Sequence, residues 1–230
     1  LVSTDLTGVA GTDRRQVLLE AIDRRQNERR LLAPAESVNA ITVGATHDDG
    51  STAVAQGYLV DPTDGCPSIS PVTAMGSGYR RSIKPDVLAH GGRAFYVDGA
   101  TAQEVITLRG LSPLGPGLKV ATPPGLNETN VAGTSFAAAL VSRQAARLHD
   151  LVEEIAAGTS LTRRQRAAAI KALLVHGTAW PPDLAYDPLS PEIAIGNGVV
   201  SRDYADGCAS NEAVILYLGS IGAAEPCVSG

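Results

Sequence analysis

The sequence predicts an α/β fold, a largely parallel sheet flanked by helices, and three observations predict it. Short apolar runs rich in β-branched residues, 38–45 and 86–89, have the length and composition of strands covered on both faces. Helical periodicity occupies 13–32, 135–157 and 162–176, and strands alternating with helices point to parallel pairing. The 230 residues are 44% hydrophobic and 19% charged, which suits a folded core and argues against disorder. Aromatics make up only 4%, so that core has to be built from Ala, Val, Leu and Ile.

In chain order, residues 1–5 read as the end of a strand. A chain opening Leu1-Val2-Ser3-Thr4 without an initiator Met is expected to be a piece of a longer polypeptide. Asp13 and Gln16 form a capping-box pattern. The helix they open has the apolar stripe Val17, Leu18, Ala21 and Ile22, fades near Leu32 and is broken by Pro34. Arg14, Arg15, Arg24, Arg25, Arg29 and Arg30 share this helix with acids and read as a solvated face. After the first covered strand, His47-Asp48-Asp49-Gly50 is a turn.

Residues 57–82, rich in Gly, Pro and Ser, read as loop with short strands, and 94–97 with 105–108 as a hairpin. Residues 111–130 form a Pro/Gly-rich approach to a long helix. Thr162 and Gln165 make a second capping box, opening a helix that Gly177 ends after His176. Gly196-Asn197-Gly198-Val199-Val200 is a turn and short strand. A last strand at 213–218 lies beyond the helical unit and divides the chain into a main part, 1–205, and the start of a β-rich extension, 206–230.

The bulk properties exclude some partners. A net charge of −5 gives no basic footprint for nucleic acid. No run of 18 apolar residues exists, so no membrane span is expected. Cys66, Cys208 and Cys227 lack metal spacing; Cys208 and Cys227 either pair or stay isolated thiols, which leaves the redox compartment open. Asp48, Asp49, Asp61 and Asp64 sit in loops able to bind calcium, without diagnostic ligand spacing. No other cofactor is expected, and the oligomeric state is not readable.

The chemistry concentrates in Gly133-Thr134-Ser135-Phe136-Ala137-Ala138-Ala139. A glycine-led turn delivers Ser135 at the start of an alanine-rich helix, where unpaired backbone N–H groups can stabilise an oxyanion. The bland reading is a simple helix start, because serine is common there. Two further segments stand ahead of this one: Pro34-Ala35-Glu36-Ser37-Val38-Asn39-Ala40-Ile41-Thr42-Val43-Gly44-Ala45, and Gly76-Ser77-Gly78-Tyr79 followed by Lys84-Pro85-Asp86-Val87-Leu88-Ala89-His90-Gly91-Gly92. With the closing Gly196-Asn197-Gly198, the three in this order resemble the C-terminal part of a subtilase, the subtilisin-like serine peptidase family, over roughly 34–205.

The resemblance implies a three-layer fold, incomplete at its N-terminal side, and a serine endopeptidase acting on protein or peptide substrates with Ser135 as nucleophile. In the family the triad runs Asp, His, Ser, and both partners lie upstream of the segments seen here. The four histidines fit the role poorly. His47 reads as a surface turn residue, and His90 stands at a strand end where the family most often has Pro. His149 lies fourteen positions beyond Ser135 on the same helix, about 20 Å away. His176 caps a helix C-terminus. Asp86 reads as a buried, hydrogen-bonded carboxylate. The family's oxyanion Asn has no counterpart in Val2-Ser3-Thr4-Asp5-Leu6, and Ala139 stands where many members have Pro.

Three readings follow. The first is the serine-bearing part of a peptidase, inactive by itself. The second is a catalytically degenerate subtilase serving as a binding or scaffold module. The third, an α/β-hydrolase esterase, lacks the Gly-x-Ser-x-Gly elbow, because Ala137 follows Ser135 by two. The resemblance leaves location open between bacterial cytoplasm and export.

Overall fold

The computed structural model describes residues 6, 8–49, 59–97, 111–112, 117–123, 127–201 and 213–219. A mixed four-stranded sheet lies at its centre, in the order β1 (Val43–Thr46), β3 (Val87–His90), β9 (Val199–Val200), β8 (Thr178–Ala179). β1 and β3 pair in parallel with Val43 beside Val87, and β3 and β9 pair in parallel with Leu88 beside Val199. Only β8, which the sequence did not announce, runs antiparallel to its neighbour. Among the described residues, the outer edge of β1 carries no strand.

Alternation along the strands divides the core into two layers. Ala45, Val87 and Ala89 pack with Ala137, Val141 and Leu148 of α2 (Thr134–Ile155) and Leu174 of α3 (Arg163–His176). Leu88 and Val199 point the other way, into Leu18, Leu19 and Ile22 of α1 (Gly11–Arg24), with Ile69, Met75 and Ile195. Helices thus cover both faces, the three-layer α/β arrangement that the sequence predicts.

The predicted elements need several corrections. α1 starts on Ala10 without a side-chain cap, so the Asp13–Gln16 box does not form; Asp13 sits in the first turn, where a carboxylate favours the positive end of the helix. The helix stops at Arg24 because its apolar stripe ends at Ile22, and a 3-10 turn, Gln26–Arg29, follows. Arg29 leaves the solvated face. Its guanidinium donates to the carbonyls of Pro71 and Thr73, and burial lowers its pKa. The first covered strand shortens from 38–45 to Val43–Thr46. Upstream of it the backbone is taken by side chains: the ammonium of Lys171 binds the carbonyls of Val38 and Ala40, and Thr42 N–H donates to the Asp86 carboxylate.

β4 (Tyr96–Val97) pairs antiparallel with β2 (Leu59–Val60); residues 105–108, the other half of the expected hairpin, lie outside the described residues. The approach to α2 is a three-stranded antiparallel sheet, β5 (Leu111–Ser112), β7 (Asn127–Val131) and β6 (Leu118–Thr122). A short helix, α4 (Pro191–Ala194), precedes β9. The strand expected at 213–218 is absent: this stretch is irregular, with Leu216 and Leu218 packed against Val152, Leu161 and Ala169 while Ile215 and Tyr217 face solvent.

The second capping box forms as written, with Thr162 Oγ1 accepting from Gln165 N–H at 3.3 Å and Gln165 Oε1 accepting from Thr162 N–H at 2.9 Å. Replacing Thr162 with alanine should lower stability by about 1 kcal/mol. Urea denaturation checks this; an unchanged midpoint would mean that packing alone sets the start of α3.

Candidate active site

Ser135 owes its position to three constraints. Val131 at the end of β7 is buried and fixes the incoming chain. Gly133 N–H donates to Gly91 O at 2.8 Å, tying the turn to the segment just past β3. Gly133 is also the N-cap of α2 and brings no capping side chain. Phe136 and Ala137 N–H both point to Gly133 O, at 3.2 and 3.5 Å. The N–H groups of Thr134 and Ser135 are therefore left without an acceptor among the described residues, at the positive end of a 22-residue helix. The Ser135 side chain is exposed and lines a cleft of about 360 Å³ whose walls include Pro34, Ala35, Ile41, Val43 and Ala138. An apolar cleft, an exposed hydroxyl and two free amides form one locality.

The close packing that holds this turn extends to Gly92. Its φ is +76°, and a Cβ there would lie 2.4 Å from Val131 O. Only glycine passes so near the last residue of β7.

None of the four histidines hydrogen-bonds Ser135 among the described residues. His47 corrects the sequence reading: it is buried, not a surface turn residue, with 1% exposure. Ala94 N–H approaches its Nδ1 at 3.4 Å and Asp61 Oδ1 lies 3.1 Å from its Nε2, so the imidazole N–H at Nε2 donates to the carboxylate. Burial pushes the Asp61 carboxyl up, but the hydrogen bond and charge of His47 and two hydrogen bonds from Thr63 outweigh it and hold the pKa at about 2. A depressed carboxylate stabilises the fold above its unfolded pKa, and that contribution is lost as pH falls from about 4 toward 2. Arg93 completes the cluster, 3.1 Å from Asp49 Oδ1 and 3.6 Å from Asp61 Oδ2.

His90 is half exposed, with Nδ1 3.2 Å from Asp48 Oδ2. The hydrogen bond to Asp48 raises its pKa; burial opposes this, and the charges of Asp48 and Asp49 add to it. His90 in the intact chain should thus titrate above about 6.5, and Asp48→Asn should bring the midpoint down. By linkage, the pair's stabilisation is complete below the unfolded pKa and fades as pH rises through the folded one. An NMR titration reads this directly, and a midpoint unmoved by Asp48→Asn would exclude the pair as the cause. His149 is exposed near Asp150 and Glu153, and His176 ends α3 on the surface.

Three of the four aspartates considered for calcium pair with basic side chains. Asp48 pairs with His90, Asp49 with Arg93 and Asp61 with His47, while Asp64 is exposed. No group of three candidate metal ligands converges among the described residues. Cys66 is free and exposed; Cys208 and Cys227 lie outside the described residues, as do residues 2–5 of the segment compared with the oxyanion strand. No helix of the described residues is long and apolar enough to cross a membrane.

Asp86 has the buried, hydrogen-bonded role that its sequence context suggests, in a network the sequence did not show. Its Oδ2 accepts from Lys84 Nζ at 2.5 Å and from Thr42 N–H at 2.7 Å, and its Oδ1 pairs with Lys171 Nζ at 2.8 Å. Asn197 sends both its backbone N–H and its side-chain amide to Asp86 O, at 3.0 and 2.9 Å. Gly196 makes that approach possible: φ is +66°, and a Cβ would fall 2.0 Å from Pro85 O. The closing Gly-Asn-Gly thus clamps the strand that carries Gly91, the anchor of the Ser135 turn.

The model of the subtilase family matches residues 9–207. Comparison with curated proteins and with solved structures returns no match.

Proposed function

The chain belongs to the subtilase family of serine peptidases, and on that premise we propose that Ser135 is its nucleophile, with the histidine and acid of the triad supplied by residues ahead of Leu1 in a longer polypeptide. The observation that supports this most is the exposed Ser135 hydroxyl at the start of α2, beside two unpaired N–H groups and lining an apolar cleft. In the reaction, Oγ attacks a peptide carbonyl carbon while its proton passes to the incoming histidine. The tetrahedral oxyanion meets the free N–H groups. Collapse breaks the C–N bond as the histidine gives its proton to the leaving amine. Water, deprotonated by the same histidine, then releases the acid and restores Ser135.

A serine hydroxyl unaided by a base is a poor nucleophile at neutral pH, and His47, His90, His149 and His176 are engaged or directed elsewhere. Residues 1–230 alone should therefore show no peptide turnover, whereas the uninterrupted gene product containing them should hydrolyse casein. Robust hydrolysis by residues 1–230 would overturn the assignment of the partners. The absence of a histidine at Ser135 also favours a second reading, a catalytically degenerate subtilase that binds rather than cuts. An uninterrupted gene product lacking Asp-Ser/Thr-Gly and His-Gly-Thr-like segments would decide for that reading.

A further inference from the structure

The turn that carries Ser135 is held from one side by a short ladder of hydrogen bonds. β3 ends at His90, and the next residue, Gly91, accepts the Gly133 N–H at 2.8 Å. Gly91 N–H in turn donates to Thr46 O at 3.1 Å, and Gly92 N–H donates to Asp48 O at 3.2 Å. Residues 90–92 are therefore the piece through which the loop after β1 reaches the N-cap of α2. They have no slack. A Cβ on Gly91 would lie 2.4 Å from Ala45 Cβ, and one on Gly92 would lie 2.4 Å from Val131 O. A segment wedged that closely between β1 and β7 transmits a displacement instead of absorbing it. A side-chain contact runs parallel to these backbone bonds: Nδ1 of half-exposed His90 lies 3.2 Å from Asp48 Oδ2.

We propose that the His90–Asp48 pair is a pH-sensitive latch on the turn that carries Ser135. With the imidazole protonated, the pair is a charge-assisted hydrogen bond and closes the side-chain rung of the ladder. Deprotonation leaves at most a neutral hydrogen bond, about half as strong, and the rung loosens directly beside Gly91. The direction is set by the ring's surroundings. The hydrogen bond to Asp48 raises the His90 pKa, burial opposes it, and the charges of Asp48 and Asp49 add to it. Asp49 is itself paired with Arg93. Arg143 and Arg147 of α2 line the same pocket as the ring, and they do not reverse the shift. The latch is thus closed below about pH 6.5 and opens as pH rises through the raised value. It acts on the position of the turn and holds whether or not Ser135 is the nucleophile; its meaning for regulation rests on that reading.

The test is amide hydrogen exchange of Gly133 in the 230-residue chain from about pH 5.5 to about pH 8.5, expressed as protection relative to the unfolded rate at each pH. The amide of Leu174, a buried residue of α3, is the reference for global opening. Gly133 protection should fall about two- to fivefold across this range, the scale of an exposed ion pair. The fall should share its midpoint with the His90 ring titration, while Leu174 protection stays level. Asp48→Asn should show the lower protection already at the acid end, with no step. His90→Gln, at a half-exposed position and neutral at every pH, should show no step either. A level Gly133 profile in the unmodified chain, a fall shared by Leu174, or a step that survives in either variant would overturn the latch.

Discussion

Replacing Ser135 with alanine in the uninterrupted gene product should lower peptide hydrolysis by roughly 10⁶-fold, the scale on which a triad fails when its nucleophile is removed. The protein should otherwise be unchanged. Ser135 is exposed, its side chain makes no hydrogen bond among the described residues, and alanine is the better helix former at the second position of α2. Melting temperature should therefore stay level or rise slightly while turnover disappears. That separation distinguishes the chemical role from a structural one: a simple helix-start serine would give a small change in both. Losing one oxyanion donor costs only about 10²–10³ in rate, so a loss confined to that range would reassign Ser135 from nucleophile to a supporting position.

The second large effect is on stability. Asp86→Ala should cost about 3–5 kcal/mol, because it leaves Lys84, whose side chain is fully buried, without its anion. It also strips the side-chain acceptor from Thr42 N–H and the anion from Lys171, leaving the Lys171 ammonium only the carbonyls of Val38 and Ala40. Attraction between the charges is not what makes the loss large. The ions have already been desolvated, and a remaining partner cannot recover its hydration without opening the core. Lys84→Met combined with Asp86→Leu should therefore lose less than the sum of the two single changes. Urea denaturation of the four proteins measures this, and strict additivity would show that the pair is not coupled.

The parts of the fold that were legible in the sequence are those whose signal is apolar and periodic. Ala137, Val141, Leu148 and Val152 recur at helical spacing and define the buried side of α2, and the Thr162–Gln165 box marks the start of α3 through local hydrogen bonds alone. Val87, Leu88 and Ala89 are buried on both faces, which is why that run reads as a covered strand. The β6–β7 ribbon was not legible. β6 alternates only between exposed and half-exposed, β7 is exposed or half-exposed until its buried last residue Val131, and the Lys119–Glu128 pair is a solvent-exposed one across the ladder. The segment 213–218 shows the reverse error. Its β-branched, apolar composition suggests a strand, but Leu216 and Leu218 pack on Val152 of α2, Ala169 of α3 and Leu161 between them, and no strand pairs with it among the described residues.

The candidate site divides the same way. Ser135 could be found because its turn is written in contiguous residues. His47 was misread because its burial depends on Asp61 and Ala94, fourteen and forty-seven positions away. The anchor between Gly133 and Gly91, and the clamp from Asn197 onto Asp86, are likewise contacts between distant segments that no local pattern encodes. Chain-local chemistry was visible; the long-range hydrogen bonds that hold it in place were not.

The central claim is that Ser135 becomes reactive only when partners from outside residues 1–230 reach it. The most direct measurement is to treat the uninterrupted gene product and the 230-residue chain in parallel with a fluorophosphonate and to map the adduct by peptide mass spectrometry. A phosphonyl group is expected on Ser135 of the longer protein, absent from its Ser135→Ala variant and from the shorter chain. An adduct on another serine, or labelling of Ser135 in residues 1–230 alone, would contradict that claim.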